Sequence, residues 1–185
     1  MQLSDPKQQQ TPRGRFAWRE SGSPEGQPLV MIHGWPESSY CWEHVAAHLK
    51  PGFRIIAPDL RGLGNSERTP GVNHYRKQEM AQDVISLLDS LGIGDFQLVG
   101  HDWGGIVAQE VALAIPDRVR RMVIMNIAII NNLKGNQEVI EKVRSDEYLR
   151  SFRIPGTPGT SSNYYRTFRD DAKRWATTAG HRWPM

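Results

Sequence analysis

The chain has 185 residues, 38% of them apolar and 23% charged, a balance that fits one compact globular domain and excludes a disordered, collagen-like or membrane-spanning chain. Its net charge is 23 − 20 = +3. Residues 1–140 carry 14 basic and 15 acidic groups while residues 141–185 carry 9 and 5, and no Lys/Arg run exceeds two residues, so a solvated helical surface explains the basic excess better than a nucleic-acid site.

Residues 1–14 are polar, include Gln8, Gln9 and Gln10, and contain no apolar core of the signal-peptide kind; they are expected to form a polar N-terminal tail. Phe16 to Glu20 has the texture of an antiparallel edge strand. Leu29 to His33 reads as a fully buried strand, Tyr40 to Leu49 as a short helix, and Arg54 to Ala57 as a second buried strand closed by Pro58. A Gly-rich loop follows through Gly62 and Gly64. Met80, Val84, Leu87, Leu88 and Leu91 then recur at helical spacing, which predicts a helix over 75–91 that Gly92 stops. Phe96 to Val99 is the next strand, Ile106 to Ala114 a helix, and Val119 to Ile124 a further strand. The dense apolar stretch at 122–130 is too short to cross a bilayer. Alternation of buried strands with helices predicts an α/β fold with a mostly parallel sheet over 15–132. From 133 to 185 the texture changes: two helical segments, about 137–152 and 163–177, flank a Pro/Gly/Ser/Thr break at 155–162 and read as a partial helical lid. The single cysteine, Cys41, excludes an intrachain disulfide and fits a reducing cytoplasm. No Cys/His cluster has metal-ligand spacing, so neither metal nor organic cofactor is expected.

Gly100-His101-Asp102-Trp103-Gly104-Gly105 lies between a buried strand and a helix, the arrangement of a nucleophile elbow, in which small residues flank a side chain lifted clear of the sheet. Its apex is Asp102 rather than serine. His33-Gly34-Trp35-Pro36 follows the first buried strand, and Asp59-Leu60-Arg61-Gly62-Leu63-Gly64-Asn65-Ser66 follows the second. Taken singly, Asp102 could be a helix N-cap and His33 a satisfied core histidine. Together, the three ordered motifs resemble the α/β-hydrolase fold, and within it the aspartate-nucleophile branch of epoxide hydrolases and haloalkane dehalogenases.

That resemblance implies a chemistry. A carboxylate is already an anion at neutral pH, so Asp102 would attack an sp³ carbon of a small-molecule substrate unaided and form an ester. Water would then hydrolyse the ester, with a histidine as general base and an acid to orient it. By resemblance, the backbone N–H groups of Trp35 and Trp103 would form the oxyanion hole, and the Trp35–Pro36 peptide would be cis. His33, Gly34, Pro36, Gly100, His101, Gly104 and Gly105 would support them. Opening an epoxide also needs an acid. The segments around Asp146–Gly156 and Asn163–Arg166 are similar to those that bear the two lid tyrosines of epoxide hydrolases, which points to Tyr148 and Tyr165. The oxyanion-loop position where many dehalogenases carry asparagine is Trp35 here.

The resemblance also implies elements that this sequence does not contain. The family's histidine follows an eighth strand, and two more strand-plus-helix units need at least ~30 residues each. His181 has no buried strand before it, and the position after the sixth strand, where some dehalogenases carry a carboxylate, is Asn126. The expectation is therefore an epoxide-hydrolase-type chain shortened in its lid and at its C-terminus, impaired in turnover, with the edge of the 119–124 strand covered by another chain, a swapped copy or the further residues of a longer parent protein. The alternatives are a haloalkane or haloacid dehalogenase, and a non-catalytic relic that binds a partner. No nucleic-acid or membrane partner is expected.

Overall fold

The computed structural model describes residues 2–130 together with 170, 171 and 174. Six strands form one mixed sheet: β1 (Lys7–Thr11), β2 (Gly14–Gly22), β3 (Gln27–Ile32), β4 (Phe53–Pro58), β5 (Phe96–His101) and β6 (Val119–Met125), in the order β1-β2-β4-β3-β5-β6. The first two pairings are antiparallel, and β4, β3, β5 and β6 run parallel. Helix α1 (Glu43–His48) lies on one face, and α2 (Lys77–Ser90) and α3 (Trp103–Ala114) lie on the other.

Two-sided coverage explains the continuous apolar runs. Along β3, Leu29 and Met31 pack with Trp42 and Ala46 on the α1 side, while Val30 and Ile32 pack with α2 and α3. In β4, Ile55 and Ala57 face α1 and Ile56 faces the other way, the period-2 alternation of a pleated strand. α2 offers Met80, Val84, Leu87 and Leu88 to the same layer that α3 enters with Ile106, Val107 and Val111.

Several boundaries differ from expectation. The predicted 40–49 helix is a 3₁₀ turn, Ser39–Trp42, followed by α1. α2 starts at Lys77 because Arg76 is extended, with φ −60° and ψ 137°, after a 3₁₀ turn at Val72–Tyr75. α3 starts directly after Asp102, three residues earlier than its apolar pattern suggests.

The expected polar tail is the largest correction. Lys7–Thr11 forms β1 and pairs with β2, so the strand expected at an edge over 16–20 is instead an internal strand, Gly14–Gly22. A ladder is made by main-chain groups, so a solvated edge strand can carry Gln8, Gln9 and Gln10 without any apolar signal. Leu3, ahead of it, is buried with the α1 layer.

Buried charge holds this N-terminal hairpin. Arg13, in its turn, donates from Nε to Asp83 Oδ1 at 2.7 Å and from Nη2 to Glu79 Oε2 at 2.6 Å. Arg61 grips the same carboxylate with two bonds, Nε to Oδ2 at 2.7 Å and Nη2 to Oδ1 at 2.8 Å, and also donates from Nη2 to the Arg13 carbonyl at 2.9 Å. Asp83 on α2 thus joins the hairpin to the loop after β4, with Arg61 and Asp83 each only 3% exposed. Within that loop, Asp59 accepts the N–H groups of Ser39 and Asn65, at 2.7 and 2.8 Å, which explains the acid that opens the 59–66 motif.

His33 ties the loop to the end of β3. Its Nε2 accepts the Leu60 N–H at 3.0 Å, so the ring proton sits on Nδ1, which donates to the Gly34 carbonyl at 2.7 Å. A second proton would have to displace Leu60. Burial holds the imidazole below the usual histidine range, against the opposite pull of the Gly34 carbonyl and the nearby carboxylates.

Two outcomes follow for stability. Asp83→Ala leaves Arg61 buried without its carboxylate and should lower the unfolding free energy by about 3–5 kcal/mol in urea; a loss below about 1 kcal/mol would contradict the network's role. Because the folded pKa of His33 lies below its unfolded value of about 6.5, the unfolded chain binds more protons and the His33 contribution is full above that value and lost as pH falls through the folded pKa. The urea midpoint should therefore drop between about pH 7.5 and 5.5, and His33→Gln should flatten that slope.

Candidate active site

At the carboxyl ends of β3, β5 and β6, three turns converge, the usual place for a site in a parallel sheet. Asp102 stands at the apex of the middle one with φ 51° and ψ −131°, a left-handed backbone that a side chain other than glycine rarely adopts. Its N–H donates to the Met125 carbonyl at 3.0 Å and its carbonyl accepts from Gly105 at 2.8 Å, so the elbow is bonded both to the end of β6 and to the first turn of α3.

Small residues make the turn feasible. A Cβ on Gly104 would stand 2.2 Å from the His33 carbonyl oxygen and 2.4 Å from that of Ile32, so α3 can approach β3 only with glycine there. A Cβ on Gly34 would meet the Asp102 side chain at 2.5 Å. Gly100 faces Gly105 and Ala108 across the turn, and Gly105 packs under Ile124 and Ile127.

Asp102 occupies the N-cap position of α3, yet its carboxylate does not cap the helix. Instead Oδ1 accepts the Trp35 N–H at 3.0 Å, 67 residues away in sequence. This distinguishes the N-cap reading from its alternative: the carboxylate is turned away from α3 toward the loop after β3. The Trp35–Pro36 peptide is cis, as expected. Trp103 begins α3, where the first amides lie outside the intrahelical ladder and the positive end of the helix dipole meets the carboxylate. Its indole is buried.

Around this pair the structure brings further groups together. His101 Nδ1 lies 3.4 Å from Glu37 Oε2, which joins the elbow to the loop after β3. Burial pushes the Cys41 thiol up to about 12, with Glu37 adding to the effect, so this sulfur is not a nucleophile at neutral pH. Gln109, fully buried on α3, donates to the Gly105 and Ala128 carbonyls and accepts the Ile130 N–H, which holds the chain after β6 against the helix. Asn126 there is also left-handed, at φ 53°.

Sequence reasoning singled out Trp35, Asp102 and Trp103, and the structure sets them at one crevice. It passed over Glu37 and Lys77. Glu37 follows Pro36 directly and could have been found as the charged neighbour of the loop; Lys77, whose ammonium stands 4.4 Å from the Trp103 ring centroid, carries no local signal. Tyr148, Tyr165 and His181 lie outside the described residues, as does most of the expected lid. Among the described residues no group of three or more His, Cys, Asp or Glu side chains could hold a metal ion, and no helix is long and apolar enough to cross a membrane.

Comparison with known proteins places this geometry. Residues 27–147 match the family model described as the alpha/beta hydrolase fold. The chain is 31% identical over 164 residues to the bifunctional epoxide hydrolase 2 of Sus scrofa, covering 86% of this chain and 29% of that protein. It is 45% identical over 102 residues to the soluble epoxide hydrolase of Corynebacterium sp. (strain C12), covering 55% and 35%. Among solved structures, epoxide hydrolase CorEH superposes with a TM-score of 0.71 at 29% identity, over 95% of this chain and 77% of that one. An epoxide hydrolase from hot-environment metagenomes superposes at 0.71 and 34% identity, over 84% and 53%. The chain spans about a third of the length of these two curated relatives. With its mixed sheet, its elbow and a family model covering 27–147, the chain belongs to the α/β-hydrolase fold family, and the relatives it resembles are epoxide hydrolases.

Proposed function

We propose that this chain carries the nucleophile half of an epoxide-hydrolase-type site, with Asp102 as the attacking group. One observation carries the reading: the Asp102 carboxylate sits on a left-handed elbow and accepts the Trp35 N–H instead of capping α3. With Oδ1 held by that donor, the second oxygen attacks a ring carbon from behind. The carbon–oxygen bond of the ring breaks as the ester bond forms, and the ring oxygen takes a proton from an acid, the role we give to Tyr148 and Tyr165.

Water, giving up a proton to a general base, then adds to the ester carbonyl, and that proton passes on to the departing diol oxygen. Negative charge develops on the Asp102 oxygen already facing Trp35, where the Trp35 and Trp103 N–H groups stabilise it before the acyl–oxygen bond breaks and the diol leaves. His33 is not the base for this step, since both its nitrogens are bonded to the Leu60 N–H and the Gly34 carbonyl. His44 and His48 lie on α1 and His74 in the turn before α2. That the relatives it resembles are epoxide hydrolases supports an epoxide as substrate. Trp35 at the usual asparagine position of many dehalogenases points the same way, since tryptophan there brings no side-chain amide to hold a halide.

Incubation of the 185-residue chain with styrene oxide, followed by intact-mass measurement, should show one adduct per chain that outlasts the first turnover and is absent from Asp102→Ala. Neither adduct nor diol would sink the assignment. Tyr148→Phe and Tyr165→Phe should each slow adduct formation by about tenfold or more. Chloride release from a simple chloroalkane, indifferent to both tyrosine changes, would instead favour a dehalogenase.

A further inference from the structure

Lys77 is an expensive residue where it stands. Its side chain is fully buried, and it occupies the first position of α2, the end of a helix where the macrodipole disfavours a cation. Burial lowers its pKa to about 8, although Asp171 acts to raise it.

Three of the described groups stand against the ammonium. The Trp103 ring centroid is 4.4 Å away, the Tyr75 carbonyl accepts from Nζ at 3.3 Å, and Asp171 Oδ2 lies at 3.5 Å. Asp171 does two things at once, because its Oδ1 accepts the Lys77 N–H at 3.3 Å and so serves α2, whose own N-cap residue, Arg76, makes no side-chain cap. Asp171 is helical and 3% exposed, and two neighbours repeat the docking: Asp170 pairs with Arg76 at 3.6 Å, and Arg174 pairs with Glu110 of α3. Glu110 is seven residues beyond Trp103, on the same face of the helix. Asp170 and Asp171 therefore stand at the start of α2, and Arg174 against Glu110 on the Trp103 face of α3.

We propose that Lys77 is a positioning residue for the oxyanion donor Trp103: its ammonium, locked between the indole and Asp171, holds the first turn of α3 so that the Trp103 N–H stays aimed at Asp102. The proposal rests on reading Asp102 as the nucleophile. An apolar pair would fill this space at lower electrostatic cost, whereas the ion pair is tied to one place because Asp171 Oδ1 accepts the Lys77 N–H while Oδ2 faces the ammonium.

The test uses the full chain labelled with 5-fluorotryptophan, the Trp103 resonance being assigned by Trp103→Phe, and styrene oxide as alkylating probe. Lys77→Met alone strands a buried carboxylate and can unfold the chain, so the deciding variant is Lys77→Met/Asp171→Asn, which removes both charges and keeps the oxygen that caps α2. It should keep the wild-type melting temperature, shift or broaden the Trp103 signal, and slow the decay of the Asp102 alkyl ester, followed by intact mass, by about tenfold, short of the 10²–10³-fold expected for outright loss of an oxyanion donor. Lys77→Arg should recover part of the rate. Wild-type ester decay in the double variant would overturn the proposal. Absence of any adduct in the wild type would defeat the nucleophile reading by itself. The Trp103 signal and the hydrogen-exchange rate of its amide would then decide on the clamp: a change in either supports it, and no change in both overturns it.

Discussion

The left-handed backbone at Asp102 is the constraint around which the crevice is organised. A residue with a Cβ at φ 51° is strained, and it persists only where its surroundings leave no alternative. Here the Asp102 N–H is tied to Met125 at the end of β6 and its carbonyl to Gly105 in α3. The register of β5 on β6, Gly100 opposite Ile124 and His101 opposite Met125, brings that acceptor to the right height. Gly104 and Gly34 then let α3 and the loop after β3 close on the elbow to distances that no larger residue allows. The sheet, the helix and the oxyanion loop are thus fitted to one turn.

Two buried polar systems stabilise the ground on which that turn stands. His33 joins the end of β3 to the loop after β4 as a neutral imidazole with both nitrogens bonded. Asp83 gathers Arg61 and Arg13 and so joins that loop to α2 and to the N-terminal hairpin. Such networks are high-stakes: complete, they specify one arrangement, and with a member missing they leave a desolvated charge behind. Neither touches the substrate side of Asp102, but both set where the loops from β3 and β4 leave the sheet. Loops of fixed origin are what let a backbone N–H from Trp35 reach a carboxylate 67 residues away.

On the proposed reading of Asp102 as the nucleophile, a carboxylate in place of a hydroxyl shapes the rest of the site. An anionic nucleophile needs no base for its first step, so what it requires from the protein is orientation: one oxygen held by a donor, the other left to attack. In the proposed reaction the same donor faces the oxygen on which charge grows during ester hydrolysis, so one N–H would serve both half-reactions. The proposed clamp belongs to the same logic, since the Lys77 ammonium stands against the Trp103 indole.

Much of this was legible in the residues. Strands β3, β4 and β5 were readable because both their faces are covered, which gives the apolar runs Leu29–Ile32, Ile55–Ala57 and Leu98–Val99, and the ordered motifs at 33–36, 59–66 and 100–105 mark the turns at their carboxyl ends. β1 was not readable, because an edge ladder consists of main-chain groups and asks nothing of Gln8 to Gln10; it was mistaken for a tail. The start of α3 was missed by three residues because Trp103, Gly104 and Gly105 serve the elbow before they serve the helix. What the sequence by itself determined was the order of elements from β3 onward, the aspartate at the apex of the elbow and the small residues beside it, all written in neighbouring positions. Only the tertiary structure decided that the Asp102 carboxylate turns to Trp35 rather than capping its helix, and that Lys77 meets an acid 94 residues away. Pairings of that kind depend on where the sheet delivers two distant backbones, and no periodicity or local spacing encodes them.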